Sequence, residues 1–387
     1  MLRAAILTVF LLSVARHGCS QSYNALFNFG DSISDTGNLC TGSGGCPPGL
    51  AMGQPPYGST HFGRPTGRCT DGRVVVDFLA ERFGLPLLPP SKASGGDFRK
   101  GANMAIVGAT AMDLEFFKSR GLGGSVWSDG SLGTQIQWFQ QIIMPSICRS
   151  DCKSFFKNSL FIVGEFGGND YNAALFTAGH GIADARSYVP QVVDRIASGV
   201  EEKTPKSDVI FATCGSDEHD ANVQALIGLG AADVVVPGVL PIGCFPVYLT
   251  LYPSSSKDGY DETGCLRSFN ELSSYHNELL KQAVSRLRSK HAGVRLMYAD
   301  FYAQVTDMVR SPKTFGLEYG LRVCCGAGGQ GSYNYNNGAR CGTAGASACG
   351  DPEEYLVWDG IHLTDAAYRS IAGGWLNGAY CSPGILH

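Results

Sequence analysis

The sequence is short of charge and of long apolar runs. Only 17% of its 387 residues are charged and the formal net charge is −4, with the basic residues scattered along the chain. This pattern argues against nucleic acid or an anionic membrane surface as a partner. Beyond the N-terminal region no apolar run is long enough to span a bilayer, and residues 234–251, which come closest, are interrupted by three prolines. We therefore expect no integral membrane association.

Two common motifs are also missing. The chain contains no G-x-S-x-G, which argues against an α/β-hydrolase with a nucleophile elbow. It contains no C-x-x-C pair either, and no histidine lies near its C-terminal cysteine cluster, so a zinc site there is less favoured than disulfides. We expect the protein to use neither a metal nor a cofactor, and chelators to have no effect on it.

The N-terminal region has the pattern of a secretory signal peptide. Arg3 provides a positive start, residues 4–15 form an apolar run, and Gly18 and Ser20 are small residues suited to cleavage. A membrane anchor is the weaker interpretation because the run is too short to span a bilayer. We therefore assign residues 1–20 to a signal peptide and expect a secreted protein whose remaining residues, 21–387, form one domain.

The cysteine content fits an oxidising compartment. The chain has 14 cysteines, of which Cys19 lies within the predicted signal peptide, so 13 remain. Cytosolic enzymes seldom carry so many, and a disulfide framework is the natural interpretation. The spacing suggests a short loop between Cys148 and Cys152 and a longer one between Cys244 and Cys265. Four further cysteines lie close together in a Gly/Asn/Tyr-rich segment: Cys324, Cys325, Cys341 and Cys349.

Apolar strand patterns alternate with helical periodicity along the chain. The predicted strands are Asn24–Phe29, Gly101–Thr110, Ser159–Gly164, Asp233–Val236 and Gly293–Asp300. The predicted helices are Val74–Phe83, Gln135–Ile147, Tyr188–Val200, Cys265–Lys290 and Thr364–Leu376. Such alternation predicts an α/β fold: a single three-layer α/β/α domain with a five-stranded, mainly parallel sheet.

The first predicted strand runs directly into a candidate nucleophile. Gly30, Asp31 and Ser32 follow the strand, so the serine lies at the carboxyl edge of the sheet, where open α/β sheets form their crevices. Gly-Asp-Ser is also an ordinary turn sequence, and on this stretch alone a turn is the simpler interpretation. The assignment of Ser32 therefore depends on partners elsewhere in the chain.

Residues at two other strand ends can complete an acyl-transfer site. Gly108 follows the second strand and Asn169 the third, and the backbone N–H groups of Ser32 and Gly108 with the Asn169 amide can stabilise a developing oxyanion. His362 can act as the base, and Asp359, three residues earlier, can orient its imidazole. Taken singly, each glycine or asparagine is more simply a turn residue and the histidine a structural one.

Together these blocks resemble the secreted plant branch of the GDSL esterase/lipase family, within the SGNH hydrolase superfamily. The resemblance covers about residues 27–381 and rests on the segments Phe29–Asn38, Gly101–Ala105, Gly167–Asp170 and Asp359–His362. Pro65–Arg68, Asp71–Arg73 and Pro237–Cys244 also resemble signatures of that branch. Ile33 and Met104 depart from the family's usual leucine and phenylalanine, which bears on packing rather than on chemistry.

The resemblance implies a serine esterase or lipase with a flavodoxin-like fold. Ser32 would be the nucleophile, Asp359 and His362 would complete the catalytic set, and Ser32, Gly108 and Asn169 would form the oxyanion hole. The expected substrate is a small-molecule or polysaccharide ester, in the cell wall or apoplast, and the protein is expected to be a monomer. Two alternatives stay open: an acyltransferase that uses the same acyl-enzyme, or a catalytically silent cell-wall binding protein.

Two further expectations concern the loops. Aromatic residues of the long loops are candidates for the substrate pocket, although packing explains them equally well: Tyr57, Phe62, Phe116 and Trp127. Residues 202–224 depart from the family pattern, because this polar stretch with a proline and several charges separates two segments that resemble one helix. We interpret 202–224 as an insertion on the surface, and Cys214 within it as the one unpaired thiol.

Overall fold

The computed structural model of the protein describes residues 22–42, 45–126, 128–148, 151–201, 226–329 and 333–386. These residues contain a six-stranded sheet with the strand order β2-β1-β3-β4-β5-β8, and a two-stranded sheet of β6 and β7. The strands are β1 Leu26–Phe29, β2 Gly101–Asn103, β3 Leu160–Val163, β4 Asp233–Pro237, β5 Arg295–Ala299, β6 Tyr319–Val323, β7 Tyr355–Val357 and β8 Cys381–Ser382. Strands β1 to β5 are mutually parallel.

Helices cover the sheet and form the outer layers. They are α1 Val75–Arg82, α2 Leu114–Lys118, α3 Leu132–Trp138, α4 Met144–Ile147, α5 Cys152–Lys157, α6 Gly168–Leu175, α7 Ile182–Val200, α8 Leu226–Leu229, α9 Pro246–Leu251, α10 Arg267–Lys290, α11 Phe301–Arg310 and α12 Asp365–Asn377. A π-helical segment, Phe139–Ile143, joins α3 to α4. Short 3₁₀ segments include Asn38–Cys40, Ala51–Gly53, Gly123–Ser125, Ile242–Cys244, Lys257–Gly259, Pro312–Phe315 and Pro352–Glu354.

The central strands are buried on both faces, as a parallel sheet between helices requires. Every residue of β1 and β3 is buried. Four phenylalanines from β1, β3, α5 and the π-helical segment pack edge to face as one cluster, which explains why these segments are rich in aromatic residues: Phe27, Phe139, Phe156 and Phe161.

The strand order positions the candidate nucleophile. The chain passes from β1 to β2 on one side of β1 and then returns to β3 on its other side. The crossovers on the two sides of β1 therefore diverge, and a crevice opens at the carboxyl ends of β1 and β3. Ser32 follows β1 and Asn169 follows β3, so both residues lie at this crevice.

The predicted α/β fold and its five parallel strands are confirmed, and the strand count is corrected to six. The sixth strand, β8, pairs antiparallel with β5 and contains only Cys381 and Ser382. A two-residue strand has no periodicity that a sequence pattern can detect. The second strand is also shorter than expected, because after Asn103 the chain leaves β2 and forms the loop that carries Gly108. The helix expected over Gln135–Ile147 is interrupted by the π-helical segment.

Within the described ranges, five disulfides brace the loops. They are Cys40–Cys46, Cys148–Cys152, Cys244–Cys265, Cys324–Cys349 and Cys325–Cys341. The C-terminal cysteines thus form disulfides, as expected, and their partners, which the sequence left open, are one another. Cys69 and Cys381 are buried and free. The cysteine count alone therefore does not single out Cys214 as the one unpaired thiol, and this part of the expectation is corrected.

Several expectations fall on parts of the chain outside the described residues. They are the signal peptide, Trp127, the stretch Glu202–Gln224 and its Cys214. In the part of the chain that the structure describes, no helix has both the length and the apolarity to cross a membrane.

Candidate active site

Ser32 lies in a tight turn directly after β1. The backbone N–H groups of Ser34 and Asp35 both donate to the carbonyl oxygen of Asp31, at 3.2 and 2.9 Å. Gly30 permits this turn, because a Cβ atom at that position would lie 2.6 Å from Ser34 Oγ and 3.0 Å from the carbonyl oxygen of Gly164. The side chain of Gln135 fixes the start of the turn, since it accepts from Gly30 N at 2.9 Å and donates to Gly30 O at 2.8 Å.

Two buried side chains tie the serine turn to the neighbouring loop. The carboxylate of Asp35 accepts from the N–H groups of Gly37, Asn38 and Val107 at 2.6, 2.7 and 3.0 Å. Burial raises the pKa of Asp35 to about 6, although these donors act to lower it. Asn103 on β2 donates to Ser34 O at 2.6 Å. The serine turn and the loop that carries Gly108 are therefore held in fixed register.

A buried ion pair supports the same turn from the opposite side. Arg68 binds Asp77 on α1 through two hydrogen bonds of 2.8 Å, and its third contact is with the carbonyl oxygen of Thr36 at 3.2 Å. Both members of the pair are buried. A buried arginine is stable only when its donors are satisfied in this way, so this pair locks the end of the serine turn onto α1.

His362 bridges the candidate nucleophile and a buried carboxylate. Its Nε2 lies 2.9 Å from Ser32 Oγ, and its Nδ1 lies 2.8 and 3.0 Å from the two oxygens of Asp359. Asp359 also accepts from the backbone N–H of His362 at 3.0 Å. With Nδ1 donating to Asp359, Nε2 is free to accept the Ser32 proton.

The charges of this pair stabilise one another. Burial alone would lower the pKa of His362, but the Asp359 carboxylate outweighs it and raises that pKa well above its usual value. Burial alone would raise the pKa of Asp359, but the His362 imidazole and the hydrogen bonds to the carboxylate keep that pKa below its usual value. Asp359 is therefore ionised at neutral pH, and it favours the imidazolium that forms when His362 takes a proton.

Two residues missed by sequence reasoning complete the surroundings of His362. Tyr57, predicted only as a possible pocket residue, donates its hydroxyl hydrogen to Asp359 Oδ2 at 2.7 Å. Cys69 is buried, and its thiol and the His362 imidazole each shift the pKa of the other. Both residues come from the Gly/Pro-rich stretch after β1, where neither periodicity nor a motif assigned them a role. The sequence signal that could have identified Tyr57 is a tyrosine next to a glycine-rich turn.

Ser32 and Gly108 present free backbone donors to the same space. Both residues line one cleft, and Gly108 has a φ of 80°, which favours glycine at that position. Among the described residues no acceptor binds either backbone N–H group. Two such groups at a candidate nucleophile are what the stabilisation of an oxyanion requires.

Asn169 lies beside these donors, but its own amide group is already engaged. Asn169 Nδ2 donates to Asp31 Oδ2 at 2.7 Å and to the carbonyl oxygen of Ala109 at 2.9 Å. Its neighbour Asp170 accepts from Ala111 N and Met112 N at 2.9 and 3.0 Å, which joins the start of α6 to the Gly108 loop. Burial raises the pKa of Asp170 to about 7.

The cleft above Ser32 has two chemically different walls and a volume of about 1080 Å³. One wall is apolar and consists mainly of residues from α6, α9 and the loop after β4: Leu175, Phe176, Leu240, Ile242, Phe245, Val247, Tyr248, Leu251 and Tyr252. The other wall is polar and comes from the loop that Cys325–Cys341 closes and from the residues just after it: Tyr335, Asn337, Arg340 and Thr343. The residues that line the cleft thus include an apolar group and a polar group.

The apolar wall continues to the surface. Phe176 and Leu251 are 44% and 37% exposed, which is unusual for large apolar side chains in the described residues. Phe176 stacks on Tyr248 with an interplanar angle of 13°. Of the aromatic residues predicted for the pocket, Phe62 packs instead against Arg68, and Phe116 against Arg120. Neither residue lines the cleft, so the packing alternative, which the sequence left equally open, holds for both.

All five predicted site residues meet at one end of this cleft. Ser32, Gly108, Asn169 and His362 line it, and Asp359 lies behind His362. Among the described residues there is no group of three or more His, Cys, Asp or Glu side chains arranged to hold a metal ion.

Comparison with known proteins gives a consistent result. The family model described as GDSL-like Lipase/Acylhydrolase matches residues 26–375. The Arabidopsis thaliana protein named GDSL esterase/lipase At5g45910 is 41% identical over 371 residues, which is 93% of this chain and 92% of that protein. A second Arabidopsis protein, GDSL esterase/lipase At1g28600, is 40% identical over 388 residues, which is 97% of this chain and 89% of that protein.

Solved structures are also similar to this chain. One of them is a phospholipase A1 from Streptomyces albidoflavus, with a TM-score of 0.35 and 12% sequence identity, and the match covers 91% of this chain and 97% of that one.

Proposed function

Because this chain belongs to the GDSL-like lipase/acylhydrolase family and is a carboxylic ester hydrolase, we propose that Ser32, His362 and Asp359 carry out its reaction. His362 Nε2 takes the proton of Ser32 Oγ while that oxygen attacks the ester carbonyl carbon. Asp359 holds the imidazole in the required tautomer and stabilises the imidazolium. The observation that carries the proposal is the unbroken chain of hydrogen bonds from Ser32 Oγ through His362 to Asp359.

The tetrahedral intermediate bears a negative charge on the former carbonyl oxygen. The N–H groups of Ser32 and Gly108 donate to it, and the amide of Asn169 is the third donor. The intermediate then collapses: the bond to the alcohol oxygen breaks, and that oxygen takes the proton from His362. Water attacks the acyl-Ser32 ester in the same manner, with His362 again accepting and returning the proton, and the free acid leaves.

Labelling with a fluorophosphonate tests this assignment directly. We expect wild-type protein to be labelled at Ser32 and to lose esterase activity in proportion. Ser32→Ala and His362→Ala should each lose turnover by roughly 10⁴-fold or more, with unchanged thermal unfolding. Asn169→Ala should lose roughly 10²–10³-fold in kcat. Full esterase activity in Ser32→Ala would refute the assignment, and an unlabelled, inactive wild type would favour the silent binding protein.

The two walls of the cleft support a further proposal about the substrate. The acyl chain lies along the apolar wall and the alcohol portion faces the polar wall. Arg340 supports this orientation, because its side chain is exposed and donates to Asn337 Oδ1 at 3.1 Å. Its guanidinium retains further donors for oxygen atoms of a small or polysaccharide alcohol portion.

The organisation of the chain is proposed on similar grounds. Residues 21–387 form one hydrolase domain after a signal peptide at residues 1–20, and the mature protein is a secreted monomer of the cell wall or apoplast. Five disulfides support an oxidising compartment. Detection of the intact mature protein in the culture medium, with its N-terminus at about residue 21, tests this proposal.

A further inference from the structure

Two acidic side chains meet beneath the serine turn. Asp31 and Glu165 are each only 3% exposed, and each carboxyl group shifts the pKa of the other. Two neighbouring carboxyl groups can share a hydrogen bond only if one of them carries a proton. Glu165 Oε2 is buried without a hydrogen-bond partner among the described residues, and the Gly168 N–H is the one donor that acts on this carboxyl group, whereas Asp31 accepts from Ile33 N at 2.9 Å and from Asn169 Nδ2 at 2.7 Å. The donor set therefore places the charge on Asp31 and the proton on Glu165.

We propose that Glu165 is a positioning residue: its protonated carboxyl group donates a hydrogen bond to Asp31, and through Asp31 it controls the side-chain amide of Asn169. This inference rests on the proposed function, because it assigns Asn169 to the oxyanion hole. Among the described residues no hydrogen bond joins Glu165 to Ser32 or His362. Glu165 affects the reaction through two hydrogen bonds, one from Glu165 to Asp31 and one from Asn169 to Asp31.

The electrostatics of the pair agree with this geometry. Burial, together with the adjacent Asp31 carboxyl group, raises the pKa of Glu165 well above its usual value. Burial also raises the pKa of Asp31, to about 6, while the Ile33 N–H, His362 and the contact with Glu165 act to lower it. At neutral pH the pair thus holds one proton and one negative charge.

The amide orientation of Asn169 follows from its two acceptors. With Nδ2 toward Asp31 Oδ2 and Ala109 O, both N–H bonds are satisfied; the flipped amide would place its oxygen against a carboxylate and a carbonyl oxygen. To donate to an oxyanion, one N–H bond of the Asn169 amide must leave its present acceptor or divide its hydrogen bond between that acceptor and the oxyanion. Asp31 competes for that hydrogen less strongly when its charge is already stabilised by Glu165. Loss of the Glu165 hydrogen bond therefore holds Asn169 away from the oxyanion.

The experiment is a double-mutant cycle between position 165 and Asn169. Glu165→Leu keeps a side chain of similar size and removes the donor, and Glu165→Gln keeps a donor that cannot ionise. We expect Glu165→Leu to lower kcat by roughly 10–100-fold with KM nearly unchanged, and Glu165→Gln to restore kcat to within a few-fold of wild type. In the Asn169→Ala background, Glu165→Leu should lower kcat little further, because both substitutions remove the same interaction.

Fluorophosphonate labelling of the same samples separates this inference from the proposed function. An unlabelled wild type would overturn the function itself. If the wild type is labelled and active, two results would overturn the inference alone. One is a wild-type kcat in Glu165→Leu. The other is a loss of kcat on Glu165→Leu that is as large in the Asn169→Ala background as in the wild type.

A spectroscopic measurement does not depend on Glu165→Leu folding. The infrared difference spectrum between wild type and Glu165→Gln at pH 7 should show the loss of one protonated carboxyl band. A loss of carboxylate bands instead would mean that Glu165 is ionised, and would also overturn the inference.

Discussion

The hydroxyl group of Tyr57 lies 2.7 Å from Asp359 Oδ2, although the two residues are 302 positions apart in the sequence. Tyr57 donates this hydrogen bond and is itself buried, so the bond is shielded from water. It helps to lower the pKa of Asp359 and thereby weakens the attraction of the carboxylate for the His362 proton. The irregular stretch after β1 thus contributes to the tuning of the proposed base.

Tyr57→Phe should reduce kcat/KM about tenfold, because a hydrogen bond to a buried charge is removed without a change of shape. The more basic Asp359 should also raise the pKa of His362, so that the acid limb of the pH profile moves to higher pH. The pH dependence of kcat/KM measures both effects. Tyr188→Phe on α7, far along the chain from the site, is the matched control and should behave as wild type; an unshifted profile in Tyr57→Phe would contradict the expected tuning.

The pH profile of the wild type follows from the raised pKa of His362. Below that pKa the imidazole is protonated and cannot accept the Ser32 proton, so activity falls as the pH falls. Because the Asp359 charge holds this pKa well above its usual value, we expect kcat/KM to keep rising above neutral pH.

Asp359→Asn tests the origin of that shift. Without the carboxylate charge, burial dominates and lowers the pKa of His362, so the acid limb should move to lower pH. At the same time kcat should fall by roughly 10⁴-fold, because the imidazole loses its orienting partner. The pH profiles of wild type and Asp359→Asn, recorded with the same activated ester, give the shift of the acid limb. An acid limb at the same pH in both proteins would show that another group titrates.

The central architecture and the nucleophile could be predicted from the sequence for a simple physical reason. Strands β1, β3, β4 and β5 are almost entirely buried and largely apolar, and Ser32 and Asn169 lie a few residues after β1 and β3. The roles of Tyr57, Cys69 and Glu165 escaped notice because they come from contacts between segments far apart in the chain. Periodicity encodes which face of an element is buried, but it does not record which loop residue meets which carboxylate.

Phe176→Ala and Leu251→Ala should narrow the range of acyl chains that the protein accepts. Both side chains form the exposed end of the apolar wall, so their loss removes contact with long chains and leaves short ones unaffected. We expect kcat/KM for an octanoyl ester to fall about tenfold and that for an acetyl ester to change less than about twofold.

Ile142 offers a matched control for this experiment. It is also a large, exposed apolar side chain, at 43%, but it lies in the π-helical segment and does not line the cleft. Ile142→Ala should leave the acyl-chain profile unchanged. An equal loss for octanoyl and acetyl esters in the Phe176 and Leu251 variants would contradict the proposed placement of the acyl chain.

Removal of residues 202–224 should leave the enzyme folded and active, and should raise its melting temperature. The described residues on either side are anchored independently of this stretch: Val200 and Leu226 are fully buried, α7 packs against α8, and Glu201 pairs with Lys290 and His291 at 2.5 Å. A shorter connection between anchored ends lowers the entropy of the unfolded chain, which stabilises the fold. Thermal unfolding and kcat of the deletion variant test this expectation, and a loss of cooperative unfolding would contradict it.

Thiol counting under denaturing, non-reducing conditions tests the companion prediction that Cys214 is unpaired. In the proposed mature chain, residues 21–387, the five disulfides leave Cys69, Cys381 and Cys214 outside them. We therefore expect three free thiols in this mature protein and two after deletion of residues 202–224 or in Cys214→Ser. If Cys214 formed a disulfide with Cys69 or Cys381, the mature protein would show only one free thiol, and removal of Cys214 would expose a second. Removal of Cys214 thus lowers the number of free thiols if Cys214 is unpaired and raises it if Cys214 is disulfide-bonded. The count therefore decides whether this stretch is covalently tied to the rest of the fold.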